Sequence, residues 1–74
     1  MDQHQFKVHI PIQVDDIIEA DGFINKFKVE DIIVIHYTKN PEVKIVLKLL
    51  DLEINDSRYY NYTDYKWKIL QETN

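Results

Sequence analysis

The sequence is short of the residues that staple, bend or activate a small protein. It has no cysteine, one glycine, two prolines, one serine and one tryptophan in 74 residues. Without cysteine there is neither a disulfide nor a thiolate zinc site to support a small core. One glycine cannot build a glycine-rich phosphate loop. The single serine, Ser57, has no G-x-S-x-G setting around it, so the usual nucleophile arrangement is missing. No apolar run approaches the roughly 18 residues that cross a bilayer as a helix. The opening "MDQHQFKVH" lacks the basic start and apolar stretch of a secretory signal, so cytoplasmic residence is the default expectation. The "NDS" and "NYT" triplets at Asn55 and Asn61 then carry no glycosylation meaning. Basic residues are outnumbered, nine against thirteen acids, for a net charge of −4. That balance argues against direct nucleic-acid binding, whose affinity comes mostly from neutralised phosphates.

Apolar residues make up 45% of the chain, which is enough for a compact core and well above the level of a disordered chain. The length fits one domain, residues 1–74, near the lower limit of what folds without staples. A homo-oligomer or a partner is one way to supply missing stability.

The hydrophobic pattern is mainly of period two. "FKVHIPIQV" places Phe6, Val8, Ile10, Ile12 and Val14 on one face, a strand over 4–14 that Pro11 assigns to a sheet edge. "DDIIEADG" reads as one or two helical turns over 15–21, with Asp15 or Asp16 as N-cap and Gly22 as C-terminal cap. A strand continuing through a bulge is the alternative. "FINKFKV" gives a strand over 23–29 with Phe23, Asn25, Phe27 and Val29 on one side, and "DIIVIHYT" a buried strand over 31–38. "KNPE" supplies turn chemistry. "VKIVLKLLDLEI" reads as a strand over 43–54 whose apolar parity switches near Leu49 and Leu50, the mark of a bulge. A helix over 41–54 begun at Asn40 and Pro41 competes with it. "YKWKILQ" is a last strand over 65–71. The expected fold is mainly β: a small antiparallel five-stranded barrel or curled sheet with one short helical turn, or α+β if 41–54 is helical.

"NDSRYYNYTDYKW" falls between those strands and reads as a connecting loop, yet it holds four of the five tyrosines and the tryptophan. Tyrosine beside arginine is the composition of interface hot spots. Arg58, Tyr59, Tyr60 and Tyr62 are therefore the candidate contact site. Against that stands inward packing as an aromatic cap on a small core, the expected place of Trp67. Tyr59 and Tyr60 point opposite ways in an extended chain, so one can pack while the other binds. Asp15, Asp16, Glu19 and Asp21 belong to an acidic cluster that could steer a basic partner. His4, His9 and His36 show no ligand spacing, and no calcium loop is present, so neither metal nor cofactor is expected. These features favour a non-enzymatic protein-binding module, an inhibitor or adaptor whose partner could be a basic nucleic-acid-binding protein. A phage or mobile-element origin would suit it.

A second reading comes from a resemblance. "VHIPIQVDDIIEADGF" followed by "VEDIIVIHY" resembles AbrB-type swapped-hairpin DNA-binding domains over residues 8–37. Those domains have an "IP" strand, a short helix ending in glycine, and then a strand. The resemblance implies a small dimeric DNA-binding regulator. The family's Gly-Asp before its second strand pair and its basic DNA-contacting surface have no counterpart in this sequence.

Overall fold

The computed structural model describes residues 10–72. Five strands form one antiparallel sheet: β1 (Ile17–Ala20), β2 (Phe27–Tyr37), β3 (Asn40–Asp51), β4 (Asp56–Asn61) and β5 (Trp67–Gln71). Their order across the sheet is β4-β3-β2-β1-β5. The sheet is curled and not closed. Its one helical element is a 3₁₀ turn, Tyr62–Asp64, which carries the chain from one edge strand to the other.

Cross-strand partners share a face of a sheet, and the register therefore defines the core. Val29 pairs with Leu49, Ile32 with Leu47, and Leu47 with Tyr60. Val29, Leu47 and Leu49 are fully buried on this inner face with Phe27, Ile18 and Ile12. Ile10, Ile32, Ile45 and Ile69 pack against them.

The predicted helix over 15–21 is strand β1, preceded by a turn. Ile18 and Ala20 point into the core while the strand pairs with β2 on one side and β5 on the other. β-Branched residues hemmed in by two neighbours gain a ladder on both edges, which a helix this short cannot match. Gly22 does sit at a chain reversal with φ +92, but after a strand. The predicted strand over 4–14 is not found from residue 10 onward, and its earlier part lies outside the described residues, as do His4 and His9. Ile12 is buried, yet the chain turns at once: Gln13 N–H donates to Asp16 Oδ2 at 2.8 Å, Asp16 N–H donates back to Gln13 O, and Asp15 adopts φ 76.

Two expected strands, 23–29 and 31–38, are one. Phe23 to Lys26 form the turn before β2, and β2 then runs through to Tyr37. Its register slips between Val29 and Asp31, which leaves Glu30 as the extra residue of a bulge. The bulge expected at Leu49 and Leu50 therefore lies on the partner strand. β3 keeps continuous register there and is a strand, not a helix. Leu52 and Ile54, whose parity suggested the slip, are exposed turn residues beyond its end. That turn is held by Asp51, whose Oδ1 accepts the N–H groups of Glu53 and Ile54, and by Asn55 at φ 55. Asn40 and Pro41, read as turn chemistry, begin β3, and the reversal is at Thr38 and Lys39. The expected strand over 65–71 starts at Trp67.

Candidate functional site

The tyrosine segment is not a loop. Asp56–Asn61 is β4, paired along β3 from Asp51 to Val46. Strand alternation then sorts its side chains. Tyr60, opposite Leu47, faces the core; Arg58, opposite Leu49, shares that face but is exposed; Tyr59, opposite Lys48, faces outward and is 61% exposed. Tyr62 leaves the strand in the 3₁₀ turn and is half-buried against the core.

Tyr60 belongs to a five-ring cluster with Phe23, Phe27, Tyr65 and Trp67. Phe23 meets Phe27 edge-on at 5.4 Å and Tyr60 at 5.6 Å, and Tyr65 lies 5.1 Å from Phe23 and 5.3 Å from Trp67. Such spacings suit the aromatic quadrupole and favour edge-to-face packing. Trp67 Nε1–H donates to the Tyr62 carbonyl at 2.9 Å, fixing the 3₁₀ turn to β5. The Asn61 amide donates to the Asp64 carboxylate across the same turn. Tyr60, Tyr62 and Trp67 thus pack half-buried against the core, a cap that joins β4 and β5, while Tyr59 and Tyr65 stay exposed.

On one flank of the cluster a shallow cleft of ≈ 310 Å³ opens between the turn before β2 and the ends of β3 and β4. Phe27, Phe23 and Tyr60 form its floor, and Ile24 and Arg58 line its rim. Ile24 is 97% exposed, the barest large apolar side chain among the described residues. Asn25 Nδ2 donates to both Asp51 oxygens, at 3.1 and 2.9 Å, which ties the turn carrying Ile24 to the end of β3. This bond is the main reason the Asp51 carboxyl is held below its ordinary 3.8. Arg58 Nε donates to Asp56 Oδ2 at 2.9 Å, and that hydrogen bond raises the guanidinium pKa further. The arrangement offers an apolar prong, a forked donor and an aromatic base on a braced frame.

The acidic residues do not gather into one rim. Asp16 is 1% exposed and serves the turn before β1. Asp15 lies 3.7 Å from Lys28 Nζ, and Glu19 sits on β1 opposite Lys68. Asp21 is exposed and adjoins Gly22, which lines the cleft. None of the four lines that cleft. Ser57 donates from the outer face of β4 to Glu30 at the bulge, a tie between strands. Among the described residues, no group of three or more His, Asp or Glu is placed to hold a metal, and no helix is long and apolar enough to cross a membrane.

Ile24 is not among the residues that the sequence pattern singles out. It falls on the lysine side of "FINKFKV", an apolar residue among polar ones, and that was its signal. A larger cleft, ≈ 460 Å³, lies on the other flank of the ring cluster, between Pro11 and Ile12 on one wall and Tyr62, Tyr65 and Trp67 on the other. Comparison of the chain with protein-family models, with curated proteins and with solved structures finds no match.

Proposed function

We propose that the protein is a non-enzymatic protein-binding module, an inhibitor or adaptor that engages another protein through the cleft between Ile24 and Arg58. The observation that carries this reading is Ile24, 97% exposed on a cleft that Arg58, Phe23, Phe27 and Tyr60 also line. A bare isoleucine contributes nothing to folding from that position, whereas burial in a complex removes its apolar surface from water. Arginine and tyrosine are the residue types enriched where interfaces concentrate their energy. The bracing by Asn25 and Asp51 limits the entropy lost on docking. Within the earlier candidate set, Arg58 and Tyr60 stay in this site, while Tyr59 faces the opposite side of the sheet.

The test is affinity capture from the native host with Ile24→Asp and Arg58→Ala, alongside thermal melts. Each change is expected to weaken capture by about thirtyfold, the equivalent of about 2 kcal/mol, with stability altered by no more than about 0.5 kcal/mol. Capture unchanged in both variants would refute the site. A salt-dependent shift of DNA at physiological ionic strength would favour the regulator reading instead. The segment that would be the regulator's helix is strand β1 here.

A further inference from the structure

The turn that follows β3 is apolar where turns are usually polar. Leu52, Glu53, Ile54 and Asn55 reverse the chain into β4, and the side chains of Leu52 and Ile54 take no part in the bonds that make the reversal. Asp51 Oδ1 accepts the N–H groups of Glu53 and Ile54 at 2.9 and 3.3 Å. Asn55 N–H donates to Asp51 O at 2.8 Å, and Asn55 takes the positive φ. The same carboxylate holds the turn before β2 through Asn25, and Leu52 N–H donates to Lys26 O at 3.1 Å. The two turns are thus one bonded unit at one end of the sheet. Ile24 on the first is 97% exposed, and Ile54 and Leu52 on the second are 57% and 45% exposed. Among the described residues, only Ile24 and Ile54 of the large aliphatic side chains are more than half exposed, and both stand here.

We propose that these two turns form one docking knuckle, seated in an apolar socket with a lysine- or arginine-rich rim on a partner protein. The proposal rests on the reading of the protein as a binding module and extends its surface past the cleft to Leu52 and Ile54. Exposed apolar side chains rimmed by polar ones mark such a contact. Charge selects the partner. Glu53 lies between Leu52 and Ile54, Asp51 and Asp56 bracket their turn, and Asp21 adjoins the other. The bases among them are Lys26 and Arg58, and Arg58 is already bonded to Asp56. A basic rim matches that acidic excess, while burial of the aliphatic side chains supplies affinity. A second copy of this chain would set like charges against each other. An anionic lipid surface would repel the same acids.

The chain has no cysteine, so a photo-cross-linker can be placed at one position. A benzophenone maleimide on Ile54→Cys, and separately on Leu52→Cys, is irradiated with the full chain in native host extract, and the joined peptides are sequenced. Both positions are expected to reach the same segment of one partner, apolar and flanked by lysine or arginine. The same group on Tyr59→Cys, whose side chain faces the other side of the sheet, is expected to miss it. A cross-link from Ile54→Cys to this chain itself, to a segment without basic residues, or to nothing that the Tyr59→Cys control does not also reach would overturn the proposal. Co-sedimentation of the chain with phosphatidylcholine–phosphatidylserine vesicles would do so too.

Capture of the cross-linked partner then separates this proposal from the reading it rests on. Ile54→Ser and Glu53→Lys are each expected to weaken capture about tenfold with the melting midpoint unchanged. Added salt is expected to weaken capture by the parent. Glu53→Lys alters no bond of the turn, so it reads the contact even where Ile54→Ser lowers the midpoint. Capture lost in Ile24→Asp and Arg58→Ala but kept in Ile54→Ser and Glu53→Lys would confine the contact to the cleft: the proposal fails and the binding reading stands. Capture kept in all four variants would remove both.

Discussion

The rings of Tyr60 and Trp67 lie 6.2 Å apart, centroid to centroid, although their strands are the two opposite edges of the sheet. Only a curled sheet brings those edges together, and the chain between them is too short to take any other course. Tyr60, Tyr65 and Trp67 with Phe23 and Phe27 act as the clasp. The cleft proposed as the contact site lies on a flank of that clasp, so fold stability and the geometry of the cleft depend on the same rings.

Neighbouring tyrosines are therefore expected to behave oppositely. Tyr60→Ala removes a half-buried ring from the cluster and should cost stability near the lower end of about 3–5 kcal/mol. At about 4–8 °C per kcal/mol for a domain this size, the melting midpoint should fall by more than about 12 °C. Tyr59→Ala should stay within about 0.5 kcal/mol of the parent. The single tryptophan gives a second readout, since its emission should change in the Tyr60 variant and not in the Tyr59 variant. Equal melting losses would show that the alternation along β4 is wrong.

Trp67→Phe keeps a ring in the cluster but leaves the Tyr62 carbonyl without its 2.9 Å donor. The expected loss is about 1–3 kcal/mol, read as a lower urea midpoint with an unchanged slope. A changed slope would mean that the 3₁₀ turn had come away from the sheet.

Adjacent aspartates give a third contrast. Asp16→Ala strips the buried acceptor from Gln13 N–H and should cost about 1–3 kcal/mol, whereas Asp16→Asn keeps an oxygen there and should cost less. Asp15→Asn, which keeps a side chain tolerant of the φ 76 backbone there, removes only an exposed partner of Lys28 at 3.7 Å, and exposed pairs contribute about 0–1 kcal/mol. Chemical denaturation of the three variants checks the order.

Asp51 supplies the pH dependence. Its carboxyl is depressed below the ordinary 3.8 first by the Asn25 amide, then by the Glu53 and Ile54 N–H groups. A depressed carboxylate binds fewer protons folded than unfolded, so its contribution is present above the unfolded value and is lost as pH falls through the folded one. Titration of the carboxyl carbon by NMR should place the Asp51 midpoint under 3.8 in the parent and higher in Asn25→Ala. An unchanged midpoint in that variant would remove Asn25 as the main cause.

How much of this was written in the sequence follows the range of each interaction. β2 and β3 were legible because β-branched runs fit only a pleated, half-buried surface, and Leu47 and Leu49 alternate as buried strand residues do. The opposite directions of Tyr59 and Tyr60 were legible too, since alternation needs only an extended chain. Over residues 10–14 the alternation belongs to no strand, because Ile10 and Ile12 both reach the core from an irregular segment, as alternate residues can without any ladder. Ile17 and Ile18 stand between aspartates suited to an N-cap and a glycine suited to a C-terminal cap. That local capping chemistry was overruled by pairing with β5, a strand some fifty residues away in sequence. The bulge at Glu30 was visible only as a parity fault and could be assigned to either strand until the register was known. The sequence by itself determined which segments could be strands and which side chains alternate along them. Tertiary structure decided that β4 exists, that its edge meets β5 through the ring cluster, that Asp16 is buried and that Ile24 is bare. Each of those depends on contacts between distant residues, which no local pattern encodes.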